Sequence, residues 1–147
     1  MVEAELEKIF PNLKSPGYSI KSPISIYYNC IAWAANEADR WWWPDVNEQY
    51  YWPAEVKREE SLTAFIKAFG LLGFKPCKDS KLEPGFEKVA IYVDRDGKPS
   101  HAARQLPSGM WTSKLGNLED IEHTFEGLEN SHYGKVAKIL KRPIRRN

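Results

Sequence analysis

A chain of 147 residues that is 42% hydrophobic and 28% charged, with a net charge of +1, is long enough to bury a core and excludes disorder. That balance leaves no electrostatic footprint for nucleic acid or an anionic membrane, and no apolar run approaches the length of a membrane span. Two cysteines, Cys30 and Cys77, are too few for a disulfide framework, and the acidic start Met1-Val2-Glu3-Ala4-Glu5 lacks the apolar stretch of a signal peptide.

The expectation is therefore one cytoplasmic domain over residues 1–147, with export without a cleavable signal left open. Residues 2–9 predict a short helix with Leu6, Ile9 and Phe10 on one side, ended by Pro11 and Ser15-Pro16-Gly17. Pro16, Gly17 and Pro23 predict an ordered loop, with Ile24, Ile26 and Tyr28 alternating in a short extended approach to the cysteine. Residues 29–39 predict a central helix. Asn29 is a good N-cap, Ala32, Ala34, Ala35 and Ala38 are strong helix formers, and Cys30 falls in the first turn.

Four of the six tryptophans lie between positions 41 and 52. With Pro44 and Pro53 beside them, Trp41-Trp42-Trp43 and Tyr50-Tyr51-Trp52 predict a loop packed by its own aromatic rings, which also offers a stacking wall for a ligand. Ser61 caps the clearest amphipathic pattern, with Leu62, Phe65, Ile66 and Phe69 on one face and Gly73 as the stop. Residues 74–77 predict a short edge strand. Three strands follow: residues 89–93, an Asp94-Arg95-Asp96-Gly97 turn, residues 99–106, a second turn at Pro107-Ser108-Gly109, and residues 110–115. Residues 117–129 predict short helical pieces capped by Asn117. Residues 133–141 predict a final helix ended by Pro143, with Lys138, Lys141, Arg142, Arg145 and Arg146 as a solvated basic end. The order is α+β: N-terminal helices, including one that starts at the cysteine, packed on a C-terminal antiparallel meander.

The chemistry centres on Cys30 and His101. A thiolate is the reactive form of cysteine, and helix N-terminal amides or a nearby imidazolium favour it. Cys30 is placed for the first effect, and His101, opening a strand, for the second. A histidine base needs a third group to fix its orientation. Ser113 on the next strand is the candidate, with His123 and Asp120 as alternatives. Arg104 reads either as a clamp on a substrate carboxylate or as an ion-pair partner of Asp94 or Glu122. Cys30, His101, His123 and His132 have no metal-site spacing, so neither a metal nor another cofactor is expected.

An Asn29-Cys30 helix start, a strand opening on His101 and a following strand with a polar residue resemble the papain-like thiol-hydrolase superfamily, in its NlpC/P60, CHAP or transglutaminase-like branches. In the NlpC/P60 pattern a strand of the type His-Val-Gly-Ile-Tyr carries the histidine. Here Lys88-Val89-Ala90-Ile91-Tyr92 has lysine in that place. The strings Tyr28-Asn29-Cys30-Ile31-Ala32-Trp33-Ala34, Trp41-Trp42-Trp43-Pro44 and His101-Ala102-Ala103-Arg104-Gln105 also resemble a small uncharacterised bacterial domain family.

The resemblance implies a papain-like fold and a cysteine hydrolase or acyltransferase working on a peptide or a small amide or thioester. Cys30, His101 and Ser113 would be its catalytic residues, and Asn29, Trp33, Trp42, Trp43 and Arg104 its substrate-binding residues. The alternative is a non-catalytic binding or immunity-type module that meets a protein partner through loop 41–52. Neither reading implies nucleic acid or membrane.

Overall fold

The computed structural model describes residues 2–14, 17–22, 28–115, 120–130 and 132–144. The expectations at Ile24 and Ile26, the Asn117 cap and Arg145–Arg146 lie outside them.

Seven antiparallel strands dominate. In chain order the elements are α1 (Val2–Ile9), β1 (Tyr18–Ser22), α2 (Cys30–Ala34), α3 (Leu62–Leu71), β2 (Lys75–Pro76), β3 (Phe86–Val93), β4 (Pro99–Gln105), β5 (Trp111–Lys114), β6 (Asp120–His123) and β7 (Lys135–Pro143). They form one sheet in the order β1-β6-β5-β4-β3-β7-β2. This overturns the papain-like expectation of helices packed on a three-stranded meander. The meander β3-β4-β5 is present, but it sits in the middle of a sheet that continues on both sides.

Two segments account for most of the difference. Residues 133–141, expected as a helix, carry the longest strand, β7, which pairs along the whole of β3 from Phe86↔Pro143 to Val93↔Lys135. Residues 120–123, expected within helical pieces, form β6 between β5 and β1. Tyr18–Ser22, expected as loop, is the strand at the far edge.

The helices are short. Asn29 accepts the Ala32 amide at 3.1 Å and starts α2 as expected, but α2 ends at Ala34 and Asn36 turns left-handed at φ 67°. The helix expected over 29–39 is thus about one turn, and Ala38 is exposed rather than on its buried face. In α1, Leu6 is buried while Ile9 points outward. In α3, the Ser61 hydroxyl accepts the Ala64 amide at 3.1 Å, and Gly73 takes φ 97° beyond the end.

The sheet divides the core in two. On one side Cys30, Ile31, Ala34, Trp42, Trp52, Phe65 and Phe69 pack with Val89, Ile91, Ala102 and Leu140. On the other, Leu6, Phe10, Leu13 and Leu128 pack with Ala90, Tyr92, Ala103, Trp111 and Ile121. Neighbouring residues of β3 and β4 thus face opposite clusters, as strand alternation requires.

Candidate functional site

Loop 41–52 folds on itself before it meets the core. The Trp43 and Tyr51 amides bond the carbonyls of Tyr51 and Trp41, both at 3.0 Å. Asn29 ties this loop to α2: its Oδ1 accepts the Trp42 amide at 3.0 Å, and its Nδ2 donates to the Trp42 carbonyl at 2.6 Å. Asn29 therefore caps α2 and anchors the loop with the same side chain. Trp42 and Trp52 are buried by this arrangement. Trp41, Trp43 and Tyr50 instead wall a pocket of about 300 Å³ whose remaining lining is Asn29, Cys30, Ser100 and Tyr133.

Cys30 is 6% exposed. Burial pushes its thiol up to about 11, against the opposing pull of the Ala102, Ile31 and Cys30 amides and the Lys114 ammonium. The expectation of a thiolate favoured by the helix start is thus outweighed by desolvation: α2 is too short and the site too dry. The thiol is held neutral.

His101 is fully buried and points to the other side of β4. Its ring stacks on Tyr133 at 4.1 Å with an interplanar angle of 2°, and the edge of Tyr92 meets it at 5.1 Å. Burial, then the charges of His123 and His132, hold its pKa well below the ordinary histidine value. The structure brings His101 and Ser113 together, with Nε2 3.0 Å from Ser113 Oγ. Ser113 Oγ lies in turn 2.7 Å from His123 Nε2, and His123 Nδ1 is 2.6 Å from the Thr124 carbonyl.

This chain sets the protons. A carbonyl only accepts, so His123 Nδ1 carries hydrogen. Burial holds His123 down to about 4, so at neutral pH its Nε2 is bare and accepts the Ser113 hydroxyl. The Ser113 oxygen then accepts from His101 Nε2–H. His101 is neutral as well, which leaves Nδ1 with a lone pair, and among the described residues it meets no hydrogen-bond partner. His123, weighed in the sequence only as a substitute for Ser113, acts behind it.

Thiol and imidazole occupy opposite clusters but are not remote. The thiol lies against the amide of Ala102, the residue after His101. Tyr133 touches both sides: it stacks on His101 and lines the Cys30 pocket. Burial, then the charge Cys30 would carry as a thiolate, pushes its phenol far up, so Tyr133 stays protonated. Its carbonyl accepts the Ser100 hydroxyl.

A family model described as a domain of unknown function (DUF7689) matches residues 19–141. The chain belongs to that family. No curated protein and no solved structure matches it.

The remaining expected site residues of this DUF7689 domain are dispersed. Trp43 and Asn29 line the Cys30 pocket, whereas Trp42 is buried behind it against the edge of Tyr51 at 4.7 Å. Trp33 faces away, its indole donating to Thr112 Oγ1 at 2.9 Å. Arg104 follows Trp33, with Nε donating to the Trp33 carbonyl at 3.3 Å, and lines a different cavity. Its charged neighbours are Glu87 and Arg142 rather than Asp94 or Glu122. Lys88, in the histidine place of the resembled strand, is buried and bonds the Asp79 carbonyl at 2.9 Å. Among the described residues no group of three or more His, Cys, Asp or Glu is placed to hold a metal ion. Nor is any helix among them long and apolar enough to cross a membrane.

Proposed function

We propose that the aromatic pocket over Cys30 is the acyl-binding centre of a cysteine hydrolase or acyltransferase that works on an amide or thioester. The observation that carries this is the proton chain His123–Ser113–His101. It holds the imidazole by Nε2 and leaves Nδ1 bare, the form a base needs. Two contacts support the pairing with Cys30: the thiol against the Ala102 amide, and Tyr133 against both partners.

With thiol and imidazole both neutral, the sulfur attacks as its proton leaves, rather than as a stored thiolate. His101 Nδ1 takes the thiol proton while sulfur bonds the carbonyl carbon. The same proton passes to the departing amine or thiolate, leaving an acyl-thioester on Cys30. Water, or an acceptor amine or thiol, then attacks. Nδ1 takes its proton, the carbon–sulfur bond breaks, and sulfur regains the proton. Thiol and imidazole sit on opposite faces of β4 here, so the proposal requires the Ser100–Ala102 backbone to turn His101 Nδ1 toward Sγ when substrate enters. The pocket walls offer Trp41, Trp43, Tyr50 and Tyr133 to the acyl group and no charged side chain, so that group is uncharged.

The test is acylation of the whole protein by a panel of neutral acyl thioesters and activated amides, read by intact mass and peptide mapping. The proposal expects one acyl group on Cys30, lost in folded His101→Ala and Ser113→Ala variants. Acylation confined to Cys77, or unchanged in His101→Ala, would sink it.

A second reading is favoured by the thiol itself, held neutral and 6% exposed. The same pocket then binds without reacting, as a module built on Trp41, Trp43 and Tyr50. Equal ligand binding by wild type and Cys30→Ser, with no acylation of either, would select it.

A further inference from the structure

A second cavity, of about 460 Å³, opens where the segment before β3 meets the end of β4. It shares no lining residue with the Cys30 pocket. Much of its wall is apolar, formed by Leu82, Pro84, Phe86, Leu106, Pro107 and Ile144. Leu82 and Ile144 are half exposed at 50% and 45%, so this apolar surface is open to solvent.

Arg104 lines the same cavity. Its Nε is committed to the Trp33 carbonyl, and its guanidinium carbon stands 5.6 Å from the Trp33 ring centroid. Among the described residues its two η nitrogens have no hydrogen-bond partner. Glu87, the nearest carboxylate to act on it, is bonded by Arg142 Nε. Glu83, the other carboxylate on the wall, bonds Lys141 at 2.7 Å and faces Lys88 at 3.7 Å. The wall thus holds a half-buried guanidinium whose two η nitrogens form an open fork that matches the two oxygens of a carboxylate.

The geometry points to a second ligand site that takes an apolar monocarboxylate, its carboxylate on the Arg104 fork and its apolar body against Phe86, Leu106 and Ile144. A single guanidinium set among apolar walls is how small-molecule pockets fix orientation. The inference does not rest on reactivity at Cys30.

The test uses the full chain with 4-phenylbutyrate and its neutral counterpart 4-phenylbutanol, by calorimetry and ligand-observed NMR. The acid should bind at least about tenfold more tightly than the alcohol, the value of one charge-assisted fork. Arg104→Gln should remove that preference. Ile144→Glu, a change at a half-exposed rim that leaves the core untouched, removes an apolar contact for both ligands and adds a charge that repels only the acid, so it should weaken both and reduce the preference for the acid. Cys30→Ser should bind as the wild type does. Equal binding of acid and alcohol, no binding of either, an unchanged preference in Arg104→Gln or Ile144→Glu, or loss in Cys30→Ser would each overturn it.

Discussion

Strand β4 has two unlike sides, one residue apart. Ala102 faces a dry cluster of aromatic rings, alanines and the Cys30 thiol. His101 and, on the neighbouring strand, Ser113 face the other cluster, where three polar side chains are threaded through apolar packing. The first side is held by shape: Trp43 and Trp52 close on Phe65 at 5.5 and 5.1 Å. The second is held by direction, since each hydrogen bond in its chain fixes which atom carries the next proton. Packing tolerates exchange of similar volumes, whereas the loss of one member of a directed buried chain leaves its neighbours unmatched.

Acid should separate the two sides most strongly. Neutral His123 has its pKa held down to about 4, chiefly by burial, although the Thr124 carbonyl and Glu122 favour its charge. His101 is lowered in the same sense. An unfolded histidine takes its proton near 6.5, so the stabilisation from keeping these rings neutral is complete above that pH and is lost as pH falls toward 4. His123 alone should cost roughly 3 kcal/mol over that window, and His101 adds to it. Urea denaturation between pH 7.5 and 4.5 measures the slope. A His123→Asn variant should flatten it, and an unchanged slope would show that the ring is not buried neutral.

On the aromatic side, Phe65→Ala should cost about 3–5 kcal/mol, because Phe65 is fully buried beneath Trp43 and Trp52. That loss should show no pH dependence between 7.5 and 5. A pH-dependent loss would mean that the two sides are coupled through β4 rather than independent.

What the sequence revealed follows the same division. Local signals were legible: the Asn29 and Ser61 caps, and the Asp94–Gly97 turn, where the Asp94 amide bonds the Lys98 carbonyl at 2.9 Å. Strand β7 was not, for a definable reason. Its register against β3 shifts between Ile91↔Lys138 and Tyr92↔Val136, leaving Ala137 as the extra residue. The bulge reverses alternation, so Val136 and Ile139, three residues apart, pack on the same side of the sheet. That spacing reads as one face of a helix, and only pairing with β3 converts it to strand. In the site, Ser113 as partner of His101 could be read from strand order. The side of the sheet each residue faces could not, and neither could the dryness that keeps Cys30 neutral, because both depend on tertiary burial.

Removing the hydroxyl from the polar chain should have a smaller effect than the core truncation. Ser113→Ala leaves two buried ring nitrogens without partners, at about 1–3 kcal/mol for each unmatched group and about 2–4 in all once the site relaxes. The sharper readout is tautomeric. Long-range nitrogen–proton spectra of the wild type should show His101 protonated on Nε2 and His123 on Nδ1. Ser113→Ala should disturb both rings while leaving the Trp43 and Trp52 signals in place. The opposite tautomer at His101 would remove the bare Nδ1 on which a base role depends.

The smallest effect belongs at the rim of the aromatic side. Tyr50 is 41% exposed, and among the described residues its only ring contact is the tilted ring of Trp41 at 5.8 Å. Its amide, not its phenol, bonds Asp45, so the loop's backbone ties survive loss of the ring. Tyr50→Ala should therefore cost less than about 1 kcal/mol of stability. It should still change access to the Cys30 pocket, because the ring forms part of the pocket wall. Alkylation of Cys30 by iodoacetamide gives the comparison: faster in Tyr50→Ala than in wild type, with Cys77 labelling as the internal standard. A stability loss of about 2 kcal/mol or more would instead place Tyr50 with Trp42 and Trp52 as part of the fold's support, and leave the pocket with one wall fewer for a ligand.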